Sequence, residues 1–140
     1  MLKLRSDETR EYISIEDPAV GDRDHWGDYV RSGFDPKHIA LRPTETPTIF
    51  NLKPLSRAQA VAIGIASSDS ALTAQQEDAI VSVGLRGIAN LPGVEFNTQG
   101  SGERERVDEA TMNLICKNID LRHELATMIK RISSLVPLDG

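Results

Sequence analysis

A chain of 140 residues fits a single domain, able to bury roughly two-thirds of the surface that its unfolded form exposes. With 39% apolar and 26% charged residues it has the balance of a globular domain, and with only 4% aromatic residues its core is expected to be aliphatic. A formal net charge of −5 argues against a surface that neutralises phosphates, so direct nucleic-acid binding is not expected, and no window nears the ~20 apolar residues that span a bilayer.

In chain order, the opening MLKLRSDETREY carries no apolar run of signal-peptide length, which places the expected protein in the cytosol. REYISI, residues 10–15, alternates polar and apolar and predicts a short strand. The next thirty residues are rich in Asp, Gly and Pro, with DHWGDYVRSGF as the one place for a turn or two of helix. Residues 1–46 are therefore expected to form an extended arm or loop with one short strand. TIFNLKP reads as a second strand between Pro47 and Pro54, with Ile49 and Leu52 on one face and Phe50 on the other.

Helix signals begin at Ser56. Ser56 with Gln59, and Thr73 with Gln76, have the residue types of two capping boxes. The first predicts a helix with Val61, Ala62 and Ile65 on its apolar side, weakened at Gly64. The second opens a helix over 73–91, with Ile80, Val83, Leu85, Ile88 and Leu91 inward and Asn90, Pro92 and Gly93 as its stop. A polar loop follows, with room for a short strand or hairpin around Val94–Phe96. Asp108 can cap the helix DEATMNLICKN, and Asn118 or Asp120 can start the last one. There Leu121, Leu125, Met128, Ile129, Ile132 and Leu135 recur at three- and four-residue steps, leaving Arg122, Glu124, Lys130 and Arg131 on the opposite side. The expected fold is α+β, a single domain over 1–140. Its core is mainly helical, with three to four helices, a short two-stranded β element and an extended N-terminal arm, residues 47–140 holding a strand and then the helical core.

Nothing in the chain has the spacing of an active site or nucleotide loop. Asp22, Asp24, His25 and Asp28 are types that bind divalent cations, yet they miss the calcium-loop pattern, and a solvated loop anchored by Trp26 is the simpler reading. Cys116, the single cysteine, sits in an apolar helical stretch and reads as a small buried hydrophobe. The glycines of TQGSGERER lack the Lys-Ser/Thr of a phosphate loop. No metal or cofactor is called for, and the chain is not expected to be an enzyme.

Two patches carry a resemblance. Phe50, Leu52, Pro54, Leu55 and Ser56 form an F-x-L-x-P-L-S joint. Leu121, Glu124, Leu125, Ala126, Ile129, Ser133 and Leu135 form an L-x-x-E-L-A-x-x-I-x-x-x-S-x-L helix. In this order the chain resembles the tail assembly chaperones and related minor tail proteins of tailed bacteriophages. The resemblance implies a non-enzymatic assembly factor that covers tail-tube or tape-measure protein in the host cytoplasm until polymerisation displaces it. Other phage tail proteins are the implied partners, with self-association as an alternative. A virion component of the minor tail, connector or baseplate is the competing reading, favoured by the arm. Trp26, Phe50, Leu52, Leu55, Leu125, Ile129 and Ile132 are the candidate partner-binding residues, as surface or as core.

Overall fold

The computed structural model describes residues 9–65, 71–90, 98–99, 106–107 and 109–135. The first strand, β1 (Arg10–Tyr12), is followed by β2 (Val20–Asp22), α1 (Trp26–Arg31), a 3-10 turn at Pro36–His38, β3 (Ala40–Leu41) and β4 (Ile49–Leu52). Then come α2 (Arg57–Ile63), α3 (Ala74–Gly84), β5 (Leu85–Ala89), β6 (Thr98–Gln99), β7 (Arg106–Val107), α4 (Glu109–Lys117) and α5 (Ile119–Leu135). Mixed α+β is the observed class. The central sheet is antiparallel in the order β1-β4-β5, beside two-stranded ribbons β2-β3 and β6-β7.

The sheet has three strands where two were expected, because the predicted helix over 73–91 divides. Its capped first part is α3, which ends at Gly84, and Leu85–Ala89 continues directly as a strand paired with β4. At Gly84 the side chain of Ile129 on α5 packs against the backbone of α3. A Cβ there would sit 2.7 Å from Ile129 Cδ1, so only glycine lets the two helices approach this far. Gly84 and Gly87 also weaken helix by about 1 kcal/mol each relative to alanine. Pairing then decides the state: Leu85 lies opposite Leu52 and Ile88 opposite Phe50, all buried. In β4 the two-residue period puts Phe50 and Leu52 together on the buried face, correcting the expected grouping of Ile49 with Leu52.

Both capping boxes form. Ser56 and Gln59, and Thr73 and Gln76, exchange side-chain and backbone bonds of 2.9 and 3.1 Å in each case. Gly64, rather than weakening a helix interior, closes α2 in the left-handed region at φ 89°, a conformation that costs any L residue with a side chain. In α2, Val61 and Ala62 face solvent, contrary to expectation, while Ala60 and Ile63 pack inward. Asn118 Oδ1 accepts from Leu121 N at 3.1 Å and starts α5. The strand expected at Val94–Phe96, Leu91, the Asp108 cap and the side chain of Leu135 lie outside the described residues.

Over their described part the first 46 residues are built into the fold rather than extended as an arm. β1 is a strand of the central sheet, and Tyr12, Tyr29, Phe34 and Ile39 are buried. The core is also less purely aliphatic than composition suggested. Four of the chain's six aromatic residues, Tyr12, Trp26, Tyr29 and Phe34, gather here with ring centroids 4.8–6.1 Å apart. Phe34 holds φ 73° behind Gly33 at φ 77°, which turns its ring back onto Tyr12 and Tyr29. The aliphatic part of the same core, with Ile80, Val81, Leu85, Leu125, Ile129 and Ile132 all fully buried, continues from this cluster, since Tyr12, Phe50 and Ile88 are paired across the sheet and share one face.

Candidate functional site

The chain segment leaving β1 runs against the first turns of α5, and one carboxylate fastens the two. Glu124 Oε1 accepts from Ser14 Oγ at 2.7 Å, and Oε2 accepts from Ile15 N at 3.0 Å and from the Tyr12 hydroxyl. Glu124 is half-buried, so the polar side assigned to it from periodicity is an internal contact and not a solvent-facing one. Tyr29 completes the fastening, its hydroxyl accepting from Ile13 N at 2.9 Å. These two bonds occupy the N–H groups just past β1, the outer strand of the sheet, and blunt an edge that would otherwise invite another strand.

Burial, and after it the charge and hydrogen bond of Glu124, push the Tyr12 phenol well above its ordinary value. Burial likewise pushes Tyr29 up to about 12, with the donated bond from Ile13 working the other way and Glu11 and Glu124 adding to the rise. Both phenols are therefore held neutral as part of the clamp.

A second carboxylate is held by Arg122 and His123, the residues just before Glu124 on α5. Glu77 on α3 is 5% exposed and pairs with Arg122 Nε at 3.1 Å and with His123 Nδ1, while Arg122 Nη1 stands 3.8 Å from Asp78. A buried carboxylate left unpaired would be costly, and here a guanidinium and an imidazole both face it. Sequence reading passed over Glu77 because it sits in a polar run, QQED. The available signal was that an acid at this position joins the buried face of α3 with Ile80, Val81 and Gly84.

Two open clefts flank this clamp. The larger, about 630 Å³, lies between Ser14–Glu16 and the α4–α5 junction at Asn118–Leu121, with Glu77, His123 and Glu124 along it. The smaller, about 420 Å³, lies between Ser14–Pro18 and residues 45–50, with Phe50 and Leu121 in its lining. Ser14, Glu16 and Leu121 belong to both. Asp17 secures the wall of the smaller cleft, accepting from Ala19 N at 2.9 Å and from Thr48 N at 2.8 Å. Ile119, 65% exposed, stands at the mouth of the larger one.

Six of the seven residues singled out from sequence come together, but inside the chain. Phe50, Leu52, Leu55, Leu125, Ile129 and Ile132 are each at most 3% exposed and belong to one core cluster. Trp26 is partly buried, packed 4.8 Å from the ring of Tyr29, and acts as a loop anchor. The two sequence patches meet directly. Leu55 N donates to Ser133 Oγ at 2.8 Å, and Ser133 Oγ donates to Ile129 O at 2.7 Å. The strand-to-helix joint at 50–56 is thus built to hold α5.

The remaining polar candidates are occupied locally. Asp22 accepts from Asp24 N at 2.8 Å, and His25 lies 3.5 Å from Asp28, whose carboxyl the Arg31 guanidinium holds below its usual range. Among the described residues no three His, Cys, Asp or Glu side chains gather as a metal ion would need. Burial, with Asp78 second, pushes the Cys116 thiol up, away from the thiolate form that reacts. No described helix is long and apolar enough to cross a membrane. Comparison with protein-family models, with curated proteins and with solved structures finds no match to this chain.

Proposed function

We propose that this chain is a non-enzymatic assembly factor for phage tails, binding a tail-tube or tape-measure protein by shape and apolar contact during morphogenesis in the host cytoplasm. The observation that carries the reading is the docking of the two resembling patches. Residues 50–56 and α5 stand far apart in sequence, yet they share one core and the bond from Leu55 N to Ser133 Oγ, at 2.8 Å. The two patches therefore act as one structural unit in this chain. Binding without turnover is supported by the state of the clefts, where Glu124 and Glu77 are taken up by donors of the chain itself.

In this reading the clamp keeps the scaffold rigid, and the client meets the rim of the clefts. Mass spectrometry of purified particles, quantified against the major tail protein, tests it. The protein is expected to be abundant in infected cells, absent from finished particles, and recovered with a tail component by pull-down. Stoichiometric presence in the particle would overturn the chaperone role and make the chain a structural component.

A further inference from the structure

We propose that the two clefts form one docking groove for a cationic segment of a partner protein in which aliphatic side chains alternate with lysine or arginine. The choice of a polypeptide as occupant rests on the assembly reading above; the site and its chemistry rest on the groove. Its apolar surface comes from Ile15, Leu121 and Ile119, the last exposed to 65% although isoleucine is among the residues most often buried. An exposed isoleucine at the mouth of a cleft offers an anchor to which an aliphatic side chain can pack.

Charge selects the partner. Glu16, Asp17, Glu45, Glu77, Asp120 and Glu124 line the clefts, and no lysine or arginine is among the described lining residues. The arginines beside the groove are engaged, Arg23 Nε with Ile15 O at 2.7 Å and Arg122 with Glu77 at 3.1 Å. Of the carboxylates, Glu77, Glu124 and Asp17 accept bonds from the chain itself. Glu16, Glu45 and Asp120 are exposed and have no hydrogen bond or ion pair through their side chains among the described residues. Three free acids around an apolar floor suit lysine and arginine, whose stems lie on apolar surface while their charges reach the rim. An acidic segment or a nucleic acid would be repelled.

Fluorescence anisotropy with the full chain tests this, using a labelled synthetic peptide of alternating lysine and leucine. Binding should weaken with added salt. It should fall about ten-fold in the pair Glu16→Lys with Asp120→Lys, since each surface charge contact contributes modestly and the reversal adds repulsion. It should fall several-fold in Ile119→Gln, and it should be lost when serine replaces leucine in the peptide. Glu16→Lys with Glu45→Lys reads the same groove without touching α5, should Asp120→Lys disturb that helix. Asp24→Lys with Glu109→Lys makes the same change in net charge outside both clefts and should leave binding intact.

Equal weakening by that control pair, or equal binding of the lysine–serine peptide, would reduce the attraction to net charge and overturn the groove. A dimer in sedimentation that Ile119→Gln abolishes would make a second copy the occupant and overturn it too. Groove-dependent peptide binding without any tail component in pull-downs would uphold the groove and sink the assembly reading. A tail-protein complex indifferent to all groove variants would do the reverse.

Discussion

At the scale of single residues, Glu124 decides how the N-terminal strand is held. Its carboxylate accepts three donors from Tyr12, Ser14 and Ile15, so Glu124→Gln puts an amide where two oxygens accept and should cost about 1.5–3 kcal/mol, read by urea denaturation. Tyr12→Phe should cost less, about 1 kcal/mol. A double-mutant cycle should return a coupling of at least about 0.5 kcal/mol, because the two groups touch. The same clamp predicts alkaline behaviour. Tyr12 and Tyr29 have raised values in the folded chain, against an ordinary value of 10.0. Above pH 10 the unfolded chain loses both phenolic protons while the folded chain keeps them, so the unfolded state binds fewer protons and stability falls as pH rises. The contribution is complete below pH 10 and declines through the region around 12 where Tyr29 ionises in place. Below about pH 12 tyrosinate absorbance should therefore rise together with unfolding rather than before it, and in Tyr12→Phe the alkaline loss should shrink.

Among the elements, α5 gathers contacts from several parts of the chain. It packs on α3 and α4, receives the joint before α2 through Ser133, and takes the clamp of β1 through Glu124. Ile129, fully buried, packs directly on Gly84 of α3. Ile129→Ala should cost about 2–5 kcal/mol in thermal or chemical melting, and Gly84→Ala about 1–3 kcal/mol from the opposite cause, overpacking against the same side chain. Combined, the two should cost less than their sum, since the smaller residue at 129 makes room at 84. Ser133→Ala removes the acceptor of Leu55 N and should cost about 1–3 kcal/mol, measured by denaturation. A smaller effect there with unchanged α5 would mean that the joint is held by packing alone.

On the scale of the whole molecule, an aromatic cluster within residues 12–34 and an aliphatic helical part join in one core against one sheet. Strand β4 carries the join, its neighbours being β1 from the start of the chain and β5 from beyond α3. Because these contacts close long loops, the strand pairing and α5 should lose protection together in hydrogen exchange. The amides of Tyr12, Phe50 and Ile88 and those of Leu125 and Ile129 are expected to share one opening free energy. Exchange of β1 ahead of the rest would show the N-terminal segment to be a separate unit fastened only by Glu124. The groove lies across this same seam between early and late segments, so charge reversal on its exposed rim should change binding without changing that shared opening.

The parts legible in the sequence were those decided within a few residues. Ser56 with Gln59 and Thr73 with Gln76 satisfy their own helix ends, and the three- and four-residue steps of α5 bury Leu125, Ile129 and Ile132 whatever they pack against. Tertiary structure decided what depends on a distant partner. Leu85–Ala89 is apolar enough for helix or strand, and only the waiting edge of β4 makes it a strand. Glu124 and Glu77 look solvated by local pattern, and only the donors brought by Tyr12, Ser14, Ile15, Arg122 and His123 make them internal. The first 46 residues read as an arm because their buried groups are sparse in sequence. They fold because Tyr12, Trp26, Tyr29 and Phe34, scattered along the chain, meet in space and bury one another.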